Sequence, residues 1–143
     1  MIVYFDTSAL LPLLIEEPGS QISSRLWDEA ERVVSSRLVY PEGRAALAMA
    51  LRMKRLDEQD LRSAADAFET LHDQLHLVEV TEGLVLRAGA LAEQFDLRGH
   101  DAVHLASVEE IADPDAVLAA GDRSLLSAAD ALGIAVAGLH STS

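Results

Sequence analysis

IVYFDTSAL, residues 2–10, places one carboxylate, Asp6, directly after a run of high β-propensity and directly before a Thr-Ser pair. An apolar run of that length bounded by turn-forming residues reads as a short buried strand, with a helix starting near Ser8. In an open parallel α/β sheet, ligands bind in the crevice beyond the carboxyl ends of the strands. Asp6 would stand on that rim. It then has two uses: facing the crevice, or capping the next helix through a side-chain oxygen.

Outward from this strand the chain alternates. SALLPLLIEEPGS (8–20) reads as a helix broken at Pro18-Gly19, with Pro12 in or near its first turn, where a missing N–H costs least. SQISSRLWDEAE (20–31) follows as a helix turning Ile22, Leu26 and Trp27 inward, and RVVSS (32–36) as the second strand. RLVYPEGRAALAMALRMKRL (37–56) is helical and offers Leu47, Leu51 and Met53 to the core; its Pro41 either kinks the helix or marks its true first turn. DEQDLRSAADAFETLHDQL (57–75) is the cleanest helix, with Asp57 as N-cap and Leu61, Ala64, Phe68, Leu71 and Leu75 at helical spacing. HLVEV (76–80) is a third strand, and TEGLVLRAGALAEQFDL (81–97) and GHDAVHLASVEEIA (99–112) are two more helices. AVLAA (116–120) gives a fourth strand, RSLLSAADALG (123–133) a helix ending at Gly133, and IAVAG (134–138) a fifth strand. The expected fold class is α/β, a three-layer α/β/α sandwich whose central parallel sheet has about five strands. The last residues, HSTS (140–143), are expected to form a loose tail.

Length and composition narrow the function. A chain of 143 residues suits one domain, expected to run over 1–143, and its apolar half with few aromatics predicts an aliphatic core. The absence of cysteine excludes disulfides, Cys-ligated zinc and thiol catalysis, and fits a reducing cytoplasm, the expected location. The first strand starts at Ile2 and leaves no basic segment for a signal peptide, while ALLPLLI (9–15) is too short and Pro-interrupted to span a bilayer. A soluble protein is therefore expected. The net charge of −13, from 11 basic and 24 acidic residues, argues against capture of nucleic acid by the whole surface. It leaves nucleic acid open as a substrate wherever bound divalent cations offset the charge, and it favours a basic protein partner. Lys54 is the only lysine, so positive charge here is nearly all guanidinium, suited to bidentate phosphate contacts.

Asp122 follows the fourth strand as Asp6 follows the first. Glu42 lies in or beside the helix after the second strand, and Asp101 at the start of the helix opened by Gly99. Four carboxylates from four elements can thus meet at one crevice. Gathered without compensation they would repel and weaken the fold. The simplest reward is one or two hard divalent cations, because Mg²⁺ and Mn²⁺ prefer oxygen ligands and keep waters for substrate phosphates. Such a site can activate a water and stabilise both the attacking and leaving oxygens of an in-line phosphodiester displacement.

VYFDTSALLPLL (3–14), SSRLVYPEGRAAL (35–47), LRGHDAVHLASV (97–108) and AAGDRSLLSAADALGI (119–134) occur in the order and with the character of the motif blocks of PIN domains. Together they resemble most the VapC-type toxin ribonucleases of bacterial toxin–antitoxin pairs, over essentially the whole chain. The resemblance implies that Asp6, Glu42, Asp101 and Asp122 form the metal-binding and catalytic acidic quartet of a PIN-like fold. It further implies a hydroxyl beside the first acid, Thr7 or Ser8, of which Thr7 is carried over. It implies Mg²⁺- or Mn²⁺-dependent endonucleolytic cleavage of RNA, with two metals on the scissile phosphate, homodimerisation, and inhibition by a cognate antitoxin whose tail occupies the site. Gly43, directly after Glu42, is a weak helix former where the family often has a bulkier residue.

Smaller signals have blander readings. His100 and His104 bracket Asp101 and, with His72 and His76, invite a transition-metal or HD-type phosphohydrolase site, which the strand-first pattern contradicts. His104 is expected instead to bond Asp101 or pack on the sheet. Arg44, Arg98 and Arg123 lie within three residues of Glu42, Asp101 and Asp122. Arg123 would start a helix, where a cation is disfavoured, which points to a phosphate or acid partner. Arg44 is a second candidate for substrate phosphate, and Arg98 reads as a surface ion pair. The rival from another class is a non-catalytic, receiver-like regulatory domain, which would want clustered acids after its first strand and a lysine after its last.

Overall fold

The computed structural model describes residues 1–140, so the tail expected at 140–143 lies, from Ser141 onward, outside the described residues. Five strands form one parallel sheet: β1 (Ile2–Phe5), β2 (Arg32–Ser36), β3 (His76–Val78), β4 (Ala116–Ala120) and β5 (Ala135–Gly138), in the order β3-β2-β1-β4-β5. β1 is central, with Val3 opposite Val33 on one side and Val117 on the other. Val3, Tyr4 and Phe5 are buried, on both faces of the sheet, as a parallel strand between two helical layers requires.

The alternation along β1 sorts the layers. Tyr4 joins Leu118 and Ala120 beneath three helices, α5 (Glu82–Phe95), α6 (Gly99–Ile111) and α7 (Arg123–Ala131). Val3, Phe5 and Ala119 face the other way, against α1 (Thr7–Leu10), α2 (Ser20–Glu29) and the start of α3 (Val39–Arg52). A smaller cluster of Leu47, Ala64 and Phe68 seats α4 (Glu58–Gln74) against α3. The three-layer α/β/α sandwich is therefore the observed fold, and no helix among the described residues is long and apolar enough to cross a membrane.

Several local expectations change. The first helix stops at Leu10 and passes into a 3-10 turn over Leu11–Leu13 with Pro12 at its start, so the break comes well before Pro18-Gly19. Pro12 lacks the N–H that an uninterrupted helix would use, and the tighter turn accommodates it. Pro41 is the third residue of α3, which settles it as a first-turn proline rather than a kink. Met53 is 64% exposed beyond the end of α3, whereas Leu47 is buried as expected. β3 is three residues long rather than five. Gly43 faces the ring of Phe68 so closely that a Cβ would come within 2.4 Å of Cζ. The weak helix former is thus the residue that lets α3 and α4 approach.

Candidate active site

After β1 the chain runs outward through β2 to β3, then crosses to the other side of β1 for β4. The sheet thus reverses its strand order between β1 and β4, and the crevice beyond the carboxyl ends at such a point is the usual ligand site of an open α/β sheet. A cleft of about 500 Å³ lies there, and Asp6, Glu42, Asp101 and Asp122 all line it, with Thr7, Ser8, Arg98, His100 and His104. A second cleft, of about 340 Å³, lies at the amino ends of β4 and β5 around Pro114 and Gly133 and contains none of the four acids.

Each acid is fixed by the element that carries it. Asp6 is the N-cap of α1: its Oδ1 accepts from the Ala9 amide at 3.0 Å and from the Ser8 hydroxyl at 2.6 Å. Capping and facing the cleft are therefore simultaneous, since among the described residues Oδ2 accepts no hydrogen bond. Ser8 in turn accepts from the Gly121 amide at 2.7 Å, tying the rim of β1 to that of β4. Asp122 caps α7 in the same way, with Oδ1 accepting from the Leu125 amide at 2.9 Å. Glu42 stands in the first turn of α3, and its Oε1 accepts from the Thr7 hydroxyl at 3.0 Å and from Nε2 of His104 at 2.7 Å. Asp101, on the first turn of α6, is buried, with Oδ2 accepting from Nε of Arg98 at 3.1 Å.

Burial pushes the Asp6 carboxyl up to about 6, and the charge of Asp101 adds to this; His104, the Ser8 hydroxyl and the Ala9 amide oppose it. For Glu42 burial also pushes upward, yet the bonds from His104 and Thr7 and the nearby imidazoles outweigh it and hold the carboxyl below its ordinary value. Glu42 is thus an anion that only accepts, so Nε2 of His104 carries the proton between them. The other ring nitrogen, Nδ1, lies 2.7 Å from the Tyr4 hydroxyl.

Of the two places expected for His104, packing on the sheet is the one observed, against Tyr4 of β1; it does not bond Asp101, its second partner is Glu42, and His100 is the histidine near Asp101, at 3.5 Å. Thr7 lines the cleft. Arg44 does not; it pairs with Glu69 at 3.0 Å, an acid that also accepts from the Tyr40 hydroxyl. Arg123 is exposed at the first position of α7 and forms no ion pair among the described residues. Sequence reasoning missed Tyr4, Leu11 and Met49 as site residues. Tyr4 was signalled only by strand alternation, which turns it away from Val3 and Phe5. The ion pair expected of Arg98 is observed, and its exposed guanidinium reaches two acids, Asp101 and Asp122. Leu11 and Met49 give the cleft an apolar wall, a use that periodicity alone does not separate from core packing.

The donor set suits a hard divalent cation, since all four acids offer carboxylate oxygens at a single cleft and Asp6 and Glu42 each keep one oxygen free of hydrogen bonds among the described residues. As the side chains stand, no three Asp, Glu or His residues among those described are close enough to hold one ion. The guanidinium of Arg98 lies between Asp101 and Asp122.

A family model described as the PIN domain matches residues 3–143. The chain is 46% identical over 136 residues to ribonuclease VapC45 of Mycobacterium tuberculosis strain CDC 1551, covering 95% of this chain and 94% of that protein. Ribonuclease VapC49 of strain H37Rv matches with the same identity and coverage. Among solved structures, the sarcin-ricin loop cleaving toxin VapC20 of M. tuberculosis superposes with a TM-score of 0.67 at 20% identity, over 92% of this chain and 95% of that one, a likeness of fold.

Proposed function

The chain belongs to the PIN-domain family, and from that premise we propose that it is a metal-dependent endoribonuclease, the toxin of a toxin–antitoxin pair. The observation that carries this reading is the convergence of Asp6, Glu42, Asp101 and Asp122, from four separate elements, on the one cleft at the strand-order reversal. The receiver-like alternative is set aside by the family.

Asp6, Glu42, Asp101 and Asp122 are the residues that would hold the cation, and oxygen-only ligands favour Mg²⁺ or Mn²⁺. When bound, the ion supplies neutralisation of charge on the scissile phosphate and activation of the attacking water. The chain supplies orientation. The Ala9 amide holds one oxygen of Asp6 and the Leu125 amide one of Asp122, and Thr7 and His104 hold one oxygen of Glu42, so Asp6 and Glu42 each have one oxygen left for a ligand while the second oxygen of Asp122 meets Arg98. Crowding four acids in a partly buried cleft against a single guanidinium, that of Arg98, leaves repulsion that a cation would relieve, which is the source of affinity for one. Thr7 and Arg123 are assigned to contacts with the RNA backbone, a role that Arg44 can share only by leaving Glu69. The leading partners are RNA, a cognate antitoxin whose basic groups answer the acidic surface, and a second copy of the chain, in the cytoplasm, with 1–143 acting as one nuclease domain.

Incubating the protein with total RNA, tRNA and rRNA fragments in Mg²⁺, in Mn²⁺ and in chelator tests the reading. Discrete cuts that depend on metal are expected. A folded protein that neither takes up metal nor cuts RNA contradicts it.

A further inference from the structure

One residue of the chain already does what a cation would do in this cleft. Nε of Arg98 lies 3.1 Å from Oδ2 of Asp101, and Nη2 lies 3.3 Å from Oδ2 of Asp122. A single guanidinium therefore joins an acid of α6 to an acid of α7. The secondary structure does not call for it. Arg98 is the N-cap of α6, where Ser, Thr, Asp or Asn is favoured, and its side chain makes no capping bond. A cation at a helix N-terminus is also opposed by the helix dipole. What holds the side chain there is the pair of carboxylates.

The two ends of the contact differ in freedom. The Arg98 side chain is 68% exposed while that of Asp101 is 8% exposed. The acid is held in the interior, whereas the guanidinium stands mostly in solvent. Exposed ion pairs are weak, so a divalent ion drawn to all four acids outcompetes one monovalent fork. Once displaced, the same planar fork is matched to a phosphate.

We propose that Arg98 is the resident counter-ion of the cleft: it bridges Asp101 and Asp122 until a divalent cation displaces it, and the released guanidinium then holds the RNA phosphate. Metal loading and substrate binding are coupled through this one side chain. The proposal rests on the metal-dependent nuclease reading above.

Mn²⁺ titration without RNA, followed by calorimetry, tests it on wild type, Arg98→Gln, Arg98→Lys and Arg123→Gln, with melting in chelator recorded for each. Arg98→Gln should bind Mn²⁺ about two- to fivefold more tightly than wild type, the size expected for losing an exposed competing pair. Arg98→Lys, a point charge without the fork, should fall between the two. Arg123→Gln removes the same charge from the neighbouring helix start without touching an acid, and should change affinity by less than about twofold. At saturating Mn²⁺, Arg98→Gln should nevertheless cut RNA more slowly than wild type. Affinity in Arg98→Gln no tighter than in Arg123→Gln overturns the counter-ion role, because net charge then explains everything. An unchanged cleavage rate overturns the phosphate role. If Arg98→Gln fails to melt cooperatively, Arg98→Lys carries the comparison, and wild-type affinity there is contradictory. Wild type that takes up no Mn²⁺ fails the nuclease reading itself, a result distinct from these.

Discussion

Nε2 of His104 donates to Oε1 of Glu42 across 2.7 Å, joining α6 to α3 beneath the acidic cleft. The opposite ring nitrogen meets the Tyr4 hydroxyl at 2.7 Å, and both Tyr4 and His104 are buried. A chain of contacts thus runs from the central strand through α6 to one of the four acids, and it sets which oxygen of Glu42 faces the cleft. Tyr4→Phe removes one hydroxyl and leaves Nδ1 buried without that partner. It is expected to cost about 1–3 kcal/mol in urea denaturation and to weaken Mn²⁺ binding, since the imidazole then loses one of its two anchors. Unchanged stability together with unchanged affinity would show that the chain of contacts does not orient Glu42.

Gly43→Ala raises helix propensity by about 1 kcal/mol, which taken alone would stabilise α3. The new methyl would meet the Phe68 ring at 2.4 Å, and overpacking of that kind costs about 1–3 kcal/mol. Net destabilisation in urea is expected, with recovery when Phe68→Leu is added. A single variant more stable than wild type would mean that α3 and α4 do not pack as described.

Metal-free stability should depend on pH through Asp6. The folded carboxyl is pushed up to about 6 from 3.8, chiefly by burial. Between these values the folded state keeps a proton that the unfolded chain has released, so stability falls as pH rises through the window and stays lower above it. The loss is at most roughly 3 kcal/mol. Asp6→Asn retains an acceptor for Ser8 and Ala9 without the charge. In chelator at neutral pH it should be more stable than wild type, and the difference should vanish toward about pH 4. A variant less stable than wild type throughout would make Asp6 a structural cap only.

Divalent metal should act in the opposite sense. An ion bound only by the folded chain adds about 2.7 kcal/mol at a hundred times its Kd, which for a chain of this size is a rise in Tm of several degrees. Scanning calorimetry with Mg²⁺ or Mn²⁺ should show that rise in wild type and little of it in Asp101→Asn. Equal rises in both would place the metal elsewhere.

The acids on strand ends were legible because two independent signals coincide there. A short apolar run followed by Asp fixes both the strand and its exit, so Asp6 and Asp122 could be set on one rim before any coordinates. The sheet order that brings them side by side is not written in any single segment; it follows from where each crossover lands. Helix limits were legible where caps are strong, as at Asp57, whose capping box with Asp60 starts α4. They were not where Pro12 permits either a helix or a tighter turn. Side-chain partners distant in sequence were the least legible. Nothing local distinguishes a His104 bonded to Asp101 from one bonded to Glu42, 62 positions away. Arg98 is similar: the contact with Asp101, three residues on, is visible in sequence, but the one with Asp122 needs the fold.

Asp6, Glu42, Asp101 and Asp122 are proposed to make one metal-dependent nuclease centre. The decisive comparison is the rate at which wild type, Asp6→Asn, Glu42→Gln, Asp101→Asn and Asp122→Asn cut one RNA in saturating Mn²⁺, with cooperative melting verified for each. Every variant should fold and cut slower by about a hundredfold or more, the scale of losing one electrostatic contributor to a transition state. A folded variant of any of the four that cuts at the wild-type rate would remove that acid from the centre and break the quartet.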